Sequence, residues 1–168
     1  MQKPRVAIVM GVSGSGKSTI GTLLAARNNG QFFDADDFHP PANIAKMADG
    51  IPLDDTDRSP WLARLREEVI DASPPAKISV LACSALKRSY RVQLGVGMPG
   101  VALIYLHGSP AVLAERLQNR AGHYMKASML ESQLATLQEP QLSEGLVIGI
   151  ELSVEEIVTA IENALGLR

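Results

Sequence analysis

The sequence predicts an α/β fold in which helices cover both faces of a parallel sheet. Three observations carry that prediction. Short apolar runs alternate with longer stretches of helical periodicity along all 168 residues. The first run, Val6 to Met10, is apolar without interruption, as befits a central parallel strand buried on both faces. That run passes through a glycine-rich loop straight into an amphipathic segment, the strand, loop, helix order of an α/β unit.

After the loop, Ser18 to Arg27 places Ile20, Leu23 and Leu24 at helical spacing and stops at Asn28, Asn29 and Gly30, which terminate helices well. Gln31 to Asp34 is a short second strand ending in acids. Pro40 and Pro41 open a helix through Asn43 to Met47 that stops near Gly50. Asp57 or Ser59 caps the next helix, with Pro60 near its first turn and Trp61, Leu62, Leu65 and Val69 as its apolar stripe. Ser73, Pro74 and Pro75 break it. Ile78 to Cys83 and Val101 to Leu106 read as buried strands, separated by a helix from about Ala85 to Leu94 and followed by another from Pro110 to Gln118. Leu146 to Ile150 is the last strand. Ser153 begins a final helix in which Val154, Ile157, Ile161 and Leu165 share a face, while Glu155 and Glu156 sit near its positive end. No internal repeat or linker interrupts the pattern, so residues 1–168 are expected to form one domain.

Hydrophobic residues at 46% and charged residues at 20% predict an ordinary packed core. A net charge of -2 supplies no global positive field, which argues against nucleic acid as a partner. Cys83 is the only cysteine; it excludes an intrachain disulfide and a multi-cysteine metal site and suits a reducing compartment. At the end of a buried strand it reads as a structural thiol. Neither a signal peptide nor an apolar run of ~20 residues is visible, so a soluble cytoplasmic protein with no membrane partner is expected.

Gly11-Val12-Ser13-Gly14-Ser15-Gly16-Lys17-Ser18 fills the pattern G-x-x-x-x-G-K-[ST] between strand and helix, followed by Thr19. Glycines let the backbone turn tightly and aim amides inward, and the helix offers its positive end to phosphate. Lys17 is expected to bridge the β- and γ-phosphates of ATP, with the hydroxyl of Ser18 on Mg2+. The motif alone does not separate a metabolite kinase from other nucleotide hydrolases.

Asp34-Ala35-Asp36-Asp37-Phe38-His39 follows the second strand, whose C-terminal end shares the sheet edge with the loop. Alternation along the strand would point Asp34 and Asp36 to one side. Asp34 is then expected on the metal and Asp36 on the proton of an acceptor hydroxyl, although an acidic turn capping the next helix would use the same residues. Arg58, among the acids of 54–57, is placed to pair with a substrate carboxylate or to sit in an exposed ion pair. Ser84, Lys87 and Arg91 follow the third strand as an anion or polyol pocket, with Lys87 and Arg91 four apart on one helical face. Arg116, Arg120, Gly122, His123 and Tyr124 form a basic segment that would close over ATP and bring an arginine to the transferring group; exposed helix arginines are the plainer alternative. His123 has no His or Cys neighbour, which argues against zinc.

Together these residues resemble the gluconate kinase (gluconokinase) family among the P-loop kinases related to shikimate and adenylate kinases. The resemblance rests on Met10 to Ser18, Asp36-Asp37-Phe38-His39-Pro40, Asn43 to Met47, Asp57-Arg58-x-Pro60-Trp61, Cys83-Ser84-Ala85-Leu86-Lys87-x-x-Tyr90-Arg91, Gly122-His123-Tyr124-Met125 and Leu137-Gln138-Glu139-Pro140. It implies a three-layer αβα P-loop fold with a five-stranded parallel sheet of order 2-3-1-4-5, a substrate-binding helical region about 37–75, a helical lid about 120–130, and homodimers in many members. It also implies transfer of phosphate from Mg-ATP to D-gluconate, giving 6-phospho-D-gluconate for the pentose phosphate and Entner–Doudoroff routes. The catalytic residues would be Lys17, Asp36 and Arg120. Gly11 to Thr19, Arg116 and Arg120 would bind the nucleotide, Ser18 and Asp34 the metal, and Asp36, His39, Arg58, Ser84, Lys87, Arg91 and His123 the substrate. Shikimate or another sugar acid as acceptor, or a nucleotide-dependent regulatory module, are the competing readings.

Overall fold

A computed structural model describes residues 2–119 and 127–168 of the chain. Five strands, Val6–Met10 (β1), Gln31–Asp34 (β2), Ser79–Ala82 (β3), Val101–His107 (β4) and Leu146–Gly149 (β5), form one sheet in the order β2-β3-β1-β4-β5. Every neighbouring pair is parallel, as in Asp34 beside Ala82, Ala82 beside Val9, and Met10 beside Tyr105. This is the expected three-layer architecture and strand order.

Central β1 shows why its sequence does not alternate. Ala7 and Val9 join a core on one face with Ile20, Leu24, Val80, Ile104 and Ile161, whereas Val6, Ile8 and Met10 join a second core with Trp61, Leu65, Leu81 and Leu103. Successive side chains leave a strand on opposite sides, so a strand covered on both faces must be apolar throughout. Helices Lys17–Arg27 (α1), Pro110–Gln118 (α5) and Val154–Leu165 (α7) contribute to the first core; Asp55–Leu65 (α3) contributes to the second. Pro41–Ala48 (α2), Arg88–Gln93 (α4) and Ala127–Thr136 (α6) complete the helices among the described residues. No helix there is long and apolar enough to cross a membrane.

Four local features depart from expectation. The chain after β2 does not continue as a strand but tightens into a 3-10 turn over Ala35–Phe38, because the Asp34 carboxylate accepts the Asp36 amide at 3.0 Å and caps it. Strand alternation therefore does not govern Asp36. Helix α3 begins earlier than expected: Asp54 caps it by accepting the Asp57 amide at 2.7 Å, and the Asp57 carboxylate in turn accepts the Asp54 amide at 3.1 Å. Pro60 consequently lies inside the helix, which runs on as a π-helical stretch over Arg66–Asp71. The segment from Ala85 to Lys87 is a loop rather than helix, with Ala85 at φ 47° and Lys87 at the cap of the short α4. Helix α6 overlaps the end of the helical lid expected about 120–130 and runs beyond it to Thr136.

Candidate functional site

The C-terminal ends of β1, β2 and β3 converge on the loop of residues 11–16, which turns from β1 into α1. Gly14 and Gly16 hold left-handed φ values of 85° and 95°, accessible at low cost only to glycine. A Cβ on Gly11 would come within 2.5 Å of Ser15 Oγ, so the loop closes only without a side chain there. The first intrahelical bond of α1 runs from the Ile20 amide to the Gly16 carbonyl at 2.9 Å, leaving the amides of Lys17, Ser18 and Thr19 ahead of the ladder. No side chain caps this helix and no acid sits in its first turn. Lys17 donates to the Val12 carbonyl at 3.2 Å, while the buried Ser15 hydroxyl has no hydrogen-bond partner among the described residues. An uncapped positive helix end, an adjacent ammonium and an unsatisfied buried hydroxyl fit a bound polyphosphate.

Beside the loop, the Asp36 carboxylate is 85% exposed. Partial desolvation by the neighbouring protein, and then the Asp34 charge, hold its carboxyl above the ordinary carboxylate range, with His39 and Lys17 pulling it partly back. His39 is buried, its ring stacked on Trp61 at 4.3 Å and 13°, and its Nε2 lies 3.9 Å from Asp36 Oδ1. Trp61 is itself fixed by donating to the Ala35 carbonyl at 2.7 Å. Burial pushes the His39 pKa down, opposed by Asp36 and assisted by Arg58. The imidazole is therefore neutral in the fold, and the unfolded chain takes up a proton first as pH falls. Stability is full above the ordinary value of 6.5 and is lost as pH drops from there toward the depressed value. The thermal midpoint should fall more steeply below pH 6.5 in the parent than in His39→Gln; identical slopes would contradict this.

A charged cluster lies beyond His39. Arg58 donates to the Tyr90 hydroxyl at 3.1 Å, Tyr90 donates to Asp55, and Lys87 meets Asp55 at 3.0 Å. Lys87 is paired with the Asp55 carboxylate, whereas Arg58 bonds the neutral Tyr90 hydroxyl and makes no salt bridge among the described residues, which leaves its positive charge for an anionic ligand. No local pattern marks Asp55 and Tyr90 as site residues, since the bond joining them spans 35 residues of sequence. Ser84 is half-buried in the loop after β3. Cys83 beneath it is buried, and burial pushes its thiol up to about 12, which suits an inert thiol.

Arg91 is not on the ligand side. It is 1% exposed, donates to the Ala85 carbonyl at 2.9 Å and meets Glu144 at 3.4 Å. Because Lys87 is an extended cap rather than a helical residue, the spacing of four does not align the two side chains. Arg91 instead braces the 85–87 loop from beneath. Gln138 braces it from above, its amide donating to the Leu86 carbonyl and its side chain accepting the Arg88 amide, both at 2.8 Å.

On the outer side of the phosphate loop, Gly14, Ser15, Gly16, Thr19, Arg116, Leu152, Val154 and Ile157 line a cavity of about 260 Å³. Arg116 is anchored there by donating to the Ile150 carbonyl at 2.5 Å. An apolar slot with one guanidinium beside a phosphate cradle suits a nucleoside. Gln133 of α6 accepts the Ser13 amide at 2.7 Å, a contact across 120 residues that no local pattern announces. Arg120, Gly122, His123 and Tyr124 lie outside the described residues. Among the described residues no cluster of three or more His, Cys, Asp or Glu could hold a metal. Ser18 and Asp34 offer oxygen donors alone, a set that fits a hard cation bound mainly through phosphate and water.

A family model described as an AAA domain matches residues 6–140. Gluconokinase of Gluconobacter oxydans is 49% identical over 146 residues, covering 86% of this chain and 82% of that protein. Thermoresistant gluconokinase of Escherichia coli is 43% identical over 157 residues, covering 92% and 90%. The crystal structure of a gluconokinase from Sinorhizobium meliloti superposes with a TM-score of 0.86 at 43% identity, covering 99% of this chain and 94% of that one.

Proposed function

The chain belongs to the gluconokinase family, and from that premise we propose that it transfers the γ-phosphoryl group of ATP to the primary hydroxyl of D-gluconate, giving ADP and 6-phospho-D-gluconate. The observation that carries this reading is the meeting on one sheet edge of a phosphate loop, an acid within electrostatic reach of Lys17, and a cluster with surplus positive charge.

In this reading the loop amides and Lys17 hold the β- and γ-phosphate oxygens and oppose the charge that develops on them. Asp36 takes the proton of the primary hydroxyl while the hydroxyl oxygen attacks phosphorus in line. The bond from phosphorus to the bridging oxygen breaks, ADP leaves with the electron pair, and Asp36 returns its proton to water. Its raised pKa brings it closer to the range in which a carboxylate is an effective base. Arg58 and Lys87, held by Tyr90 and Asp55, receive the substrate carboxylate, while Ser84 and His39 offer polar contacts to hydroxyls. Ser18 and Asp34 would hold Mg2+, which when bound offsets phosphate charge. Arg116 contacts the nucleoside. Arg120 supplies the cation for the transferring group, and His123 a further substrate contact. A homodimer, as the family resemblance implies, working in the cytoplasm completes the proposal.

Coupled ADP release across a panel of sugar acids and polyols tests the acceptor. Turnover with gluconate well above that with shikimate, gulonate or water is expected. Turnover indifferent to gluconate would overturn the proposal.

A further inference from the structure

The acceptor side contains a buried polar chain whose donor count fixes a proton. Asn43 on α2 is 2% exposed, and its Nδ2 makes two contacts: it donates to the Asp57 backbone carbonyl at 3.0 Å and lies 3.2 Å from His39 Nδ1. A backbone carbonyl only accepts, so the Asn43 amide group, and not its oxygen, must face Asp57. The second hydrogen of the same nitrogen then faces His39 Nδ1, which has to present a lone pair. Stacking on Trp61 and burial keep the ring in place and neutral. The remaining proton of the neutral imidazole is left on Nε2, and Nε2 is the atom that faces Asp36 at 3.9 Å.

We propose that Asn43 is a positioning residue that locks His39 as an Nε2–H donor, so that His39 and Asp36 grip the acceptor hydroxyl together as a donor and an acceptor. A separation of 3.9 Å is too long for a direct hydrogen bond. A hydroxyl oxygen about 2.8 Å from each atom spans that gap, accepting from Nε2–H while donating its proton to Asp36. The oxygen lone pair not engaged by His39 stays available for attack. Were the ring in its other tautomer, two acceptors would face the hydroxyl and one would go unsatisfied. The charged groups around this pair are Asp34 and Asp37 on the Asp36 side, Lys17 from α1 and Arg58 from α3. None of them contacts His39 Nδ1, and among the described residues Asn43 is its hydrogen-bond partner, so the tautomer is left to Asn43.

The inference rests on the gluconate kinase reading and is separable from it. Long-range proton–nitrogen correlation on the whole protein, which has only three histidines, should show His39 at neutral pH with an unprotonated Nδ1 and a protonated Nε2. In Asn43→Asp the carboxylate would accept from Nδ1–H and the pattern should invert. kcat with gluconate should then fall at least about tenfold, as a wrong tautomer does elsewhere, with KM for ATP little changed. In a His39→Gln background there is no tautomer to lock, so Asn43→Asp should add nothing. Asn43→Leu serves if the aspartate variant does not fold; it should leave both tautomers populated and also lower kcat. An Nδ1–H tautomer in the parent protein, or equal losses from Asn43→Asp with and without His39, would overturn the inference. If the parent itself shows no gluconate-dependent ADP release, the functional reading fails first, while the nitrogen spectrum still decides the tautomer.

Discussion

Lys17→Ala is expected to lower kcat with Mg-ATP and gluconate about a thousandfold or more while leaving the protein folded. The ammonium is the one fixed cation that the described structure presents within the phosphate loop, and developing phosphoryl charge in a site of this type is stabilised mainly by prepositioned donors. Its anchoring bond to the Val12 carbonyl at 3.2 Å sets where the charge sits before nucleotide arrives. Alanine is the best helix former at the start of α1, and the loop shape is set by Gly11, Gly14 and Gly16 rather than by the lysine. The thermal midpoint should therefore stay near that of the parent. A folded variant with near-parental kcat would remove the loop from the chemistry.

Asp36→Asn should reduce kcat by about a hundredfold or more, within the range of lost general-base catalysis, with KM for ATP nearly unchanged. The capping bond from the Asp36 amide to Asp34 involves the backbone and survives the change. In the parent, the ionised carboxylate is the working form, and partial desolvation by the neighbouring protein together with the Asp34 charge raises its pKa. Activity should fall as pH drops through that raised pKa, and the asparagine variant should lose this acid limb. An unchanged rate, or an acid limb that persists in the variant, would exclude Asp36 as the proton acceptor.

Much of this site was legible in the sequence because its signals are local. The uninterrupted apolar run of β1 reports burial on both faces, and residues 11–18 carry their glycines and lysine in consecutive order. What escaped detection depended on partners distant in sequence or on competition between local signals. Pro60 suggested a helix start nearby, but Asp54 and Asp57 form a reciprocal cap that begins α3 before it. Asp34 ends its strand by capping the next turn, which cancels an argument from alternation. A spacing of four makes Arg91 a ligand cation only if residues 85–94 are helical; the positive φ of Ala85 and the extended Lys87 redirect it inward. Asn43 appeared only as part of a resemblance, since its partners His39 and Asp57 mean nothing until α2 packs against α3.

In the proposed reaction, phosphoryl passes from ATP to a hydroxyl of gluconate at the edge shared by β1, β2 and β3. Phosphorus NMR of a reaction containing the purified protein, Mg-ATP and gluconate reads it directly. A phosphomonoester coupled to the protons of the gluconate primary carbon, growing in step with ADP, is the expected result. ADP accompanied only by inorganic phosphate, or no ATP consumption by folded protein, would contradict it.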